Sequence, residues 1–463
     1  MAAFTSRPAT DRIQPFRAGS PNGTKARVAQ QPRSAHDRVS VSPLLGSRLQ
    51  NLRLILRVFL PFAAGYYLSY LFRTISALMA DPLTTEFALT PGTLGLLTSA
   101  YFLTFAIAQL PIGILLDRYG PRRVQGGLLL VAALGAALFA VSNGFISLLL
   151  GRALIGIGVA AALTAGLKAT VLWFPTERVP LVNGWMVMLG ALGSVTATTP
   201  AEWLLAWIGW RGLFEWLAAA TLLAAMAIYL LVPEAPLPPS VRASQALGGL
   251  RRIYGDPRFW RLAPLSATTI GTAWALQGLW AAPWLTDVEG LDRAAVVDHL
   301  FAMAVALSLG APLLGLIATR LRKYNVEPRT LFGLVAALFI MVQLALILRW
   351  PLPSYILWCC VAAVGATTVL SYASVAEYFP RDLAGRANAA LNVFHIGGAF
   401  LLQDLTGAII GYWTIEGGHH PLIAYKVAFG VDLVLQAVAW LWFVAAGLWS
   451  AVSRLRGRSV FAA

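Results

Sequence analysis

Long apolar blocks without charge alternate with short polar connectors along most of this chain. Stretches such as 126–141 and 217–232 contain no charged residue. A helix needs about 20 mostly apolar residues to cross a bilayer, and only a helix or a closed barrel satisfies its own backbone there. The pattern predicts an all-α polytopic membrane protein with twelve transmembrane helices. We expect these helices at 55–79, 93–116, 125–143, 146–170, 182–200, 212–232, 262–285, 295–319, 330–348, 354–377, 387–411 and 426–448.

The composition agrees with this pattern. The chain has 463 residues, of which 58% are hydrophobic and 12% are charged, whereas soluble domains carry about 25% charged residues. The net charge of +15 could indicate nucleic-acid binding, but the distribution of the positive residues along the chain argues against it. With the N-terminus inside, 28 of the 35 Lys and Arg residues fall in cytoplasmic segments. The positive-inside rule then predicts a multi-pass protein of the bacterial inner membrane with both termini in the cytoplasm.

An internal repeat divides the chain into two halves. Residues 172–195 align with 377–400 at a constant offset of 205, and Asn183 and Gly193 fall on Asn388 and Gly398. Repeated halves around a central cavity are a common plan of secondary transporters. We therefore expect two pseudo-symmetric bundles of six helices. The expected segments are a basic, disordered cytoplasmic tail (1–53), the first bundle (54–232), a cytoplasmic linker (233–261), the second bundle (262–450) and a cytoplasmic tail (451–463).

The segment GILLDRYGPRR, residues 113–123, resembles the signature of the major facilitator superfamily between its second and third helices. RALIGIG, which begins at Arg152, resembles the family's Arg/Gly pattern in the fourth helix. The resemblance implies the fold of that superfamily and alternating access. The fifth helix lacks the Gly-Pro-x-x-Gly-Gly run of drug/proton antiporters, which weakens a drug-export function. The implied gating residues are Gly113, Asp117, Arg118, Arg122, Arg123 and Arg152.

Arg73 is the principal candidate for substrate binding. An ionisable side chain inside a span costs about 2.5–3.5 kcal/mol on insertion scales, so it is a functional candidate by default. Tyr66, Tyr70 and Arg73 are spaced i, i+4 and i+7 and share one helix face. This helix is similar to the first helix of the organic-anion and organophosphate branches, in which an Arg contacts an anionic substrate. The alternative for Arg73 is that its side chain snorkels to the outer interface. Lys168, in the fourth span, either adds a second positive charge to the cavity or snorkels to the cytoplasm.

The second half offers polar residues of another kind. Gln277 in the seventh helix and Asn392 in the eleventh are candidates for substrate contact. Asp404 and His395 are candidates for proton coupling, because both can titrate in a suitable environment; a histidine that only packs between helices is the alternative. We expect Trp280 and Trp284 to anchor their helix at the membrane interface, and Asp432, near a span end, to contact water.

Together these features predict proton-coupled uptake of a small anionic metabolite by a monomer. The sequence contains no Gly-rich phosphate loop, no metal-spaced His/Cys cluster and no Ser/His/Asp set on loops, so we expect no enzyme activity, cofactor or metal. Two other functions stay open: efflux of drugs or toxic metabolites, and a non-transporting membrane sensor or assembly factor.

Overall fold

The computed structural model describes residues 52–175, 178–234, 243–415 and 419–459, and within them almost every segment is helical. The expected tail 1–53 lies outside the described residues, apart from its last two positions. In the first half the helices are Ile55–Phe59, Leu60–Thr74, Ser76–Phe87, Pro91–Ala140, Phe145–Val159, Ala162–Trp173, Val179–Thr196 and Thr199–Leu231. In the second they are Pro257–Ala275, Leu276–Trp280, Ala281–Asp287, Arg293–Arg322, Pro328–Leu348, Ser354–Gly365, Thr368–Ala376, Arg381–Ile410 and Leu422–Ser459. A short helix, Ala243–Tyr254, lies between the halves.

Two long helices each break at a glycine. When each is divided at its glycine, the number of spans is the predicted twelve. Gly120 (φ 78°) interrupts Pro91–Ala140, and Gly209 (φ 70°) interrupts Thr199–Leu231. Positive φ is inexpensive for glycine alone, so the chain reverses direction at Gly120 and bends at Gly209. We number the spans 1 to 12 in chain order: the two arms around Gly120 are spans 2 and 3, and the arm after Gly209 is span 6. Over the described residues, the twelve predicted spans are confirmed.

Ten of these helices are long and apolar enough to cross a membrane, over the part of the chain that is described. Span 5 is apolar but short, with Leu181–Thr196 as its apolar part. Span 7 comprises three consecutive helical pieces between Pro257 and Asp287. The predicted linker 233–261 contains the helix Ala243–Tyr254, and the helix of span 12 continues to Ser459.

The two halves repeat the same structural details. Span 4 breaks at Ala160 and span 10 at Ala366, 206 positions apart, against the offset of 205 in the sequence repeat. The aligned glycines also have equivalent roles. A Cβ on Gly193 would lie 2.2 Å from the Tyr67 carbonyl oxygen of span 1, and a Cβ on Gly398 would lie 2.3 Å from the Ala267 carbonyl oxygen of span 7. Each glycine therefore allows two backbones of its own half to touch.

Candidate functional site

Arg73 lies where span 1 faces the second half of the chain. Its Cζ atom is 4.0 Å from the centroid of the Tyr70 ring and 4.5 Å from that of the Trp274 ring. Tyr70 belongs to span 1 and Trp274 to span 7, so one guanidinium contacts rings from both halves. Tyr66 packs edge-on against Tyr70, with ring centroids 5.1 Å apart. The three residues of the predicted stripe therefore form one surface between the halves.

The charge of Arg73 has no acidic partner among the described residues. None of the ion pairs between those residues includes it. The half-buried guanidinium stacks on aromatic rings, which attract a cation by about 0.5–2 kcal/mol without neutralising it. Its head lies between two rings rather than at the end of its span. The N–H fork of Arg73 thus remains suited to an anion.

Side chains of spans 10 and 11 form the opposite wall. The Tyr372 hydroxyl donates to Asn392 Oδ1 at 2.6 Å, and the Tyr372 ring lies 5.3 Å from the ring of the fully buried His395. The His395 ring is 6.3 Å from that of Trp274. Asn392 and His395 therefore belong to the same cluster as Arg73, and Tyr372 is a member that sequence reasoning missed, since one tyrosine in an apolar span gives no signal.

Two buried donors beside Arg73 lack an acceptor. Trp274 Nε1 and Gln277 Nε2 have no hydrogen-bond partner among the described residues. Gly278 follows Gln277, and a Cβ there would lie 3.8 Å from the Arg73 carbonyl oxygen, so spans 1 and 7 approach closely at this level. An unsatisfied buried donor costs about 1–3 kcal/mol. A ligand that accepts hydrogen bonds from these groups would recover part of that energy.

Lys168 lies apart from this cluster. Its Nζ donates to Asp117 Oδ1 at 2.6 Å and to the Leu116 carbonyl oxygen at 2.8 Å. Its charge is therefore matched by an acid of its own half, and only Arg73 supplies an uncompensated charge to the cluster among the described spans. The partner of Asp117 is a lysine rather than the arginines that follow it in the sequence.

The arginines of the signature segment hold spans 3 and 6 together. Arg123 pairs with Glu234 at 2.7 Å, and Arg122 donates to the Tyr229 carbonyl oxygen at 2.6 Å. The Arg123 guanidinium keeps the pKa of the Glu234 carboxyl below its usual range. Between described residues, every ion pair at this end joins partners of the same half.

The remaining implied gating residues take different positions. Arg118 extends over the Tyr119 ring, with its Cζ 5.2 Å from the centroid. A Cβ on Gly113 would meet no atom within 4 Å, so this glycine is not at a close helix contact of the described residues. Arg152 is buried against span 1, where it donates to the Phe72 carbonyl oxygen at 3.1 Å. The gating roles of these residues stay predictions.

At the opposite end of the spans, an ion triad joins the two halves. Arg293, at the start of span 8, contacts both carboxylate oxygens of Glu202, with Nε–Oε1 2.5 Å and Nη2–Oε2 2.9 Å. Arg293 Nη1 lies 3.4 Å from Asp81 Oδ2. Glu202 and Asp81 both belong to the first half. Sequence reasoning missed this triad because its members are far apart along the chain.

Spans 2 and 11 close the same end below the triad. Gln403 Nε2 donates to Thr98 Oγ1 at 2.6 Å across the two halves, and Trp280 Nε1 donates to the Gln403 carbonyl oxygen at 3.1 Å. A Cβ on Gly407 would lie 2.7 Å from the Pro91 carbonyl oxygen, so the two backbones touch there. These contacts place a closed layer between the Arg73 cluster and this end.

Two expectations for the second half were wrong. Asp432 is 1% exposed rather than solvated, and its Oδ2 accepts a hydrogen bond from Thr406 Oγ1 at 3.0 Å. Trp280 and Trp284 are also 1% exposed, so neither anchors the protein at the interface. Both errors have one cause, because distance along a span does not tell whether a side chain faces lipid, water or protein. Asp404, one of the two candidates for proton coupling, is half-buried.

Known proteins resemble this chain over different lengths. It is 23% identical over 379 residues to the probable sulfoacetate transporter SauU of Cupriavidus necator, covering 77% of this chain and 86% of the relative. It is 22% identical over 406 residues to the hexuronate transporter of Escherichia coli K12, covering 81% and 91%. An uncharacterized transporter of Bacillus subtilis, YybO, is 32% identical over 147 residues, and the match spans only 32% of this chain and 34% of the relative.

The fold has counterparts among solved structures. A bacterial homologue of the human lysosomal transporter Spinster, in an inward-facing and unoccupied conformation, superimposes with a TM-score of 0.68 at 19% identity, covering 86% of this chain and 96% of that chain. The sequence pattern of the Major Facilitator Superfamily matches residues 62–402. This multi-pass membrane protein therefore belongs to the Major Facilitator Superfamily, a family of transporters rather than of enzymes.

Proposed function

We propose that this protein takes up a small organic anion across the bacterial inner membrane by alternating access, coupled to protons. The observation that carries the proposal is Arg73, a cation between aromatic rings of the two halves without an acidic partner among the described residues. A charge in that position is costly unless a ligand neutralises it. A carboxylate matches the planar fork of a guanidinium in two places.

The neighbours of Arg73 favour an anion that also carries oxygen acceptors. Trp274 Nε1 and Gln277 Nε2 are donors that no described residue of the chain accepts from, and Asn392 and Tyr372 add an amide and a hydroxyl. A sugar acid has a carboxylate for Arg73 and hydroxyls for the other groups. The hexuronate and sulfoacetate transporters among the relatives support an organic anion as the substrate class.

The closed end that carries the ion triad would be the outer one. The excess of Lys and Arg on the opposite side predicts that both termini lie in the cytoplasm. In this orientation, access to Arg73 from outside requires the contacts of Arg293 and Gln403 to open. Asp117, Lys168 and the signature arginines would then act at the cytoplasmic end. Since both walls of the site come from one chain, a monomer suffices.

We propose that His395 or Asp404 couples transport to protons. His395 is buried beside Tyr372 and Trp274 and can respond to a ligand at the cluster. Asp404 follows Gln403, which bonds across the halves. A coupling residue should be needed for uphill accumulation driven by a proton gradient but not for exchange of labelled for unlabelled substrate. His395→Ala and Asp404→Asn, compared in these two assays, identify which residue couples.

Uptake of radiolabelled glucuronate into proteoliposomes tests the proposal. Charged hydrogen bonds contribute about 1.5–3 kcal/mol, so Arg73→Ala should weaken apparent affinity about 10- to 100-fold, and Arg73→Lys should weaken it less. Arg349→Ala removes an exposed arginine at the end of span 9 and should leave uptake unchanged. If Arg73→Ala transports glucuronate and other organic anions like the wild type, the anion site is not at Arg73.

A further inference from the structure

Span 1 is broken directly after Arg73. The helix Leu60–Thr74 ends one residue after Arg73, and the next helix begins at Ser76. The Ile75 N–H bonds the Leu71 carbonyl oxygen at 3.0 Å, the regular step of four residues. The Ile75 carbonyl oxygen accepts from the Leu78 N–H at 3.1 Å, a tighter step of three residues, and also from the Met79 N–H at 3.2 Å. A short tight turn within a helix often marks a functional hinge. The direction of the Arg73 side chain therefore depends on how this break is held.

Arg152 of span 4 holds the break from behind. Its Nη1 donates to the Phe72 carbonyl oxygen at 3.1 Å, and its Nη2 donates to the Ser76 hydroxyl. One planar guanidinium thus connects the residue before Arg73 to the first residue of the next helix. Arg152 is only 3% exposed, and its partners here are a backbone oxygen and a hydroxyl.

A second contact fixes the orientation of Arg152 itself. Its Cζ lies 5.3 Å from the centroid of the Tyr101 ring. The Tyr101 hydroxyl donates to the Ser69 carbonyl oxygen at 3.2 Å, one turn before Arg73. Spans 2 and 4 therefore support the same stretch of span 1 from one side. No ion pair between described residues includes Arg152.

We propose that Arg152 is a positioning residue for Arg73: it holds the break in span 1 so that the Arg73 guanidinium points into the cluster between the halves. The role needs a rigid fork with two donors, which explains an arginine in a buried span position, where a charge is costly. Substrate does not contact Arg152. The inference rests on the proposed function only in taking Arg73 as the anion-binding group.

Cysteine accessibility tests the geometry independently of any substrate. In a chain carrying C359S and C360S, the R73C side chain is modified by a small, negatively charged methanethiosulfonate, with and without R152Q. If Arg152 sets the direction of this position, R152Q should change the modification rate about fivefold or more, the scale expected for loss of a structural hydrogen bond. R349Q is the matched control and should leave the rate unchanged. Equal rates with and without R152Q would overturn the proposal.

Transport kinetics then distinguish positioning from a general loss of folded protein. For glucuronate uptake, R152Q should raise KM about tenfold and R152K less, because lysine keeps the charge without the fork. A variant that only lowers the folded fraction would reduce the maximal rate at constant KM, which would contradict positioning. In an R73K chain, R152Q should change KM less than twofold, since coupled residues are non-additive.

The S76A variant keeps Arg152 and removes one of its acceptors, so it should raise KM about two- to threefold. A wild-type KM in both S76A and R152Q would overturn the proposal. If the wild-type protein takes up no anion, the proposed function fails, while the cysteine rates still decide the role of Arg152.

Discussion

Removing Arg293 should open the end of the molecule that its ion triad closes. Arg293 makes a forked contact with Glu202, whose side chain is 21% exposed, and a longer contact with Asp81, which is 78% exposed. Exposed ion pairs contribute about 0.2–1 kcal/mol. The fork lies at the upper end of that range, and Asp81 adds little because water screens it. The triad therefore favours the closed end by about 1–1.4 kcal/mol in total. This free energy corresponds to a change of about five- to tenfold in the ratio of molecules with this end closed to molecules with this end open.

Electron–electron distance measurements in nanodiscs can report this ratio. Spin labels at Thr85 and Tyr412 would sit on exposed positions of the two halves at this end. Arg293→Ala should raise the population of long distances about five- to tenfold, and about 1 M salt should shift the wild type in the same direction, since it screens exposed charges. Arg211 pairs with Glu86 at 2.6 Å within one half, so Arg211→Ala is the matched control. An equal shift in both variants, or none in Arg293→Ala, would refute the assignment of the triad as a gate.

Three further outcomes are expected. Gly407→Ala places a Cβ 2.7 Å from the backbone of span 2, so the same distance measurement should show a shift towards the open end. In Asp432→Asn the amide oxygen can still accept from Thr406, so thermal unfolding in detergent should change little, whereas Asp432→Ala should cost about 1–3 kcal/mol; equal losses would contradict this. The Trp210 indole N–H, and to a smaller extent the Arg211 guanidinium, lower the pKa of Glu86. The Glu86 carboxylate therefore stabilises the fold at neutral pH, and this stabilisation is lost as the pH falls through the lowered pKa. The difference in melting temperature between wild type and Glu86→Gln should therefore shrink on acidification, and a difference that grows would contradict the sign.

The course of the chain was largely predictable from its sequence. An apolar block of about 20 residues has few alternatives in a bilayer, because its backbone must bond internally. The repeat predicted equivalent halves, and the separation of the breaks at Ala160 and Ala366 agrees with its offset to within one residue. The Tyr66, Tyr70 and Arg73 stripe was also predictable, because three residues at helical spacing share a face whatever surrounds them.

Tertiary structure decided which of these faces meet, and in what environment. The sequence by itself determined the number of spans, their order and the position of one guanidinium within them. The packing of the halves decided that Trp274 contacts Arg73, that Lys168 pairs with Asp117, and that Asp432 is buried. Hydropathy separates the bilayer interior from water, but lipid tails and protein side chains are equally apolar. The side of a helix that faces a partner therefore cannot be read from hydropathy, and only helix packing assigns it.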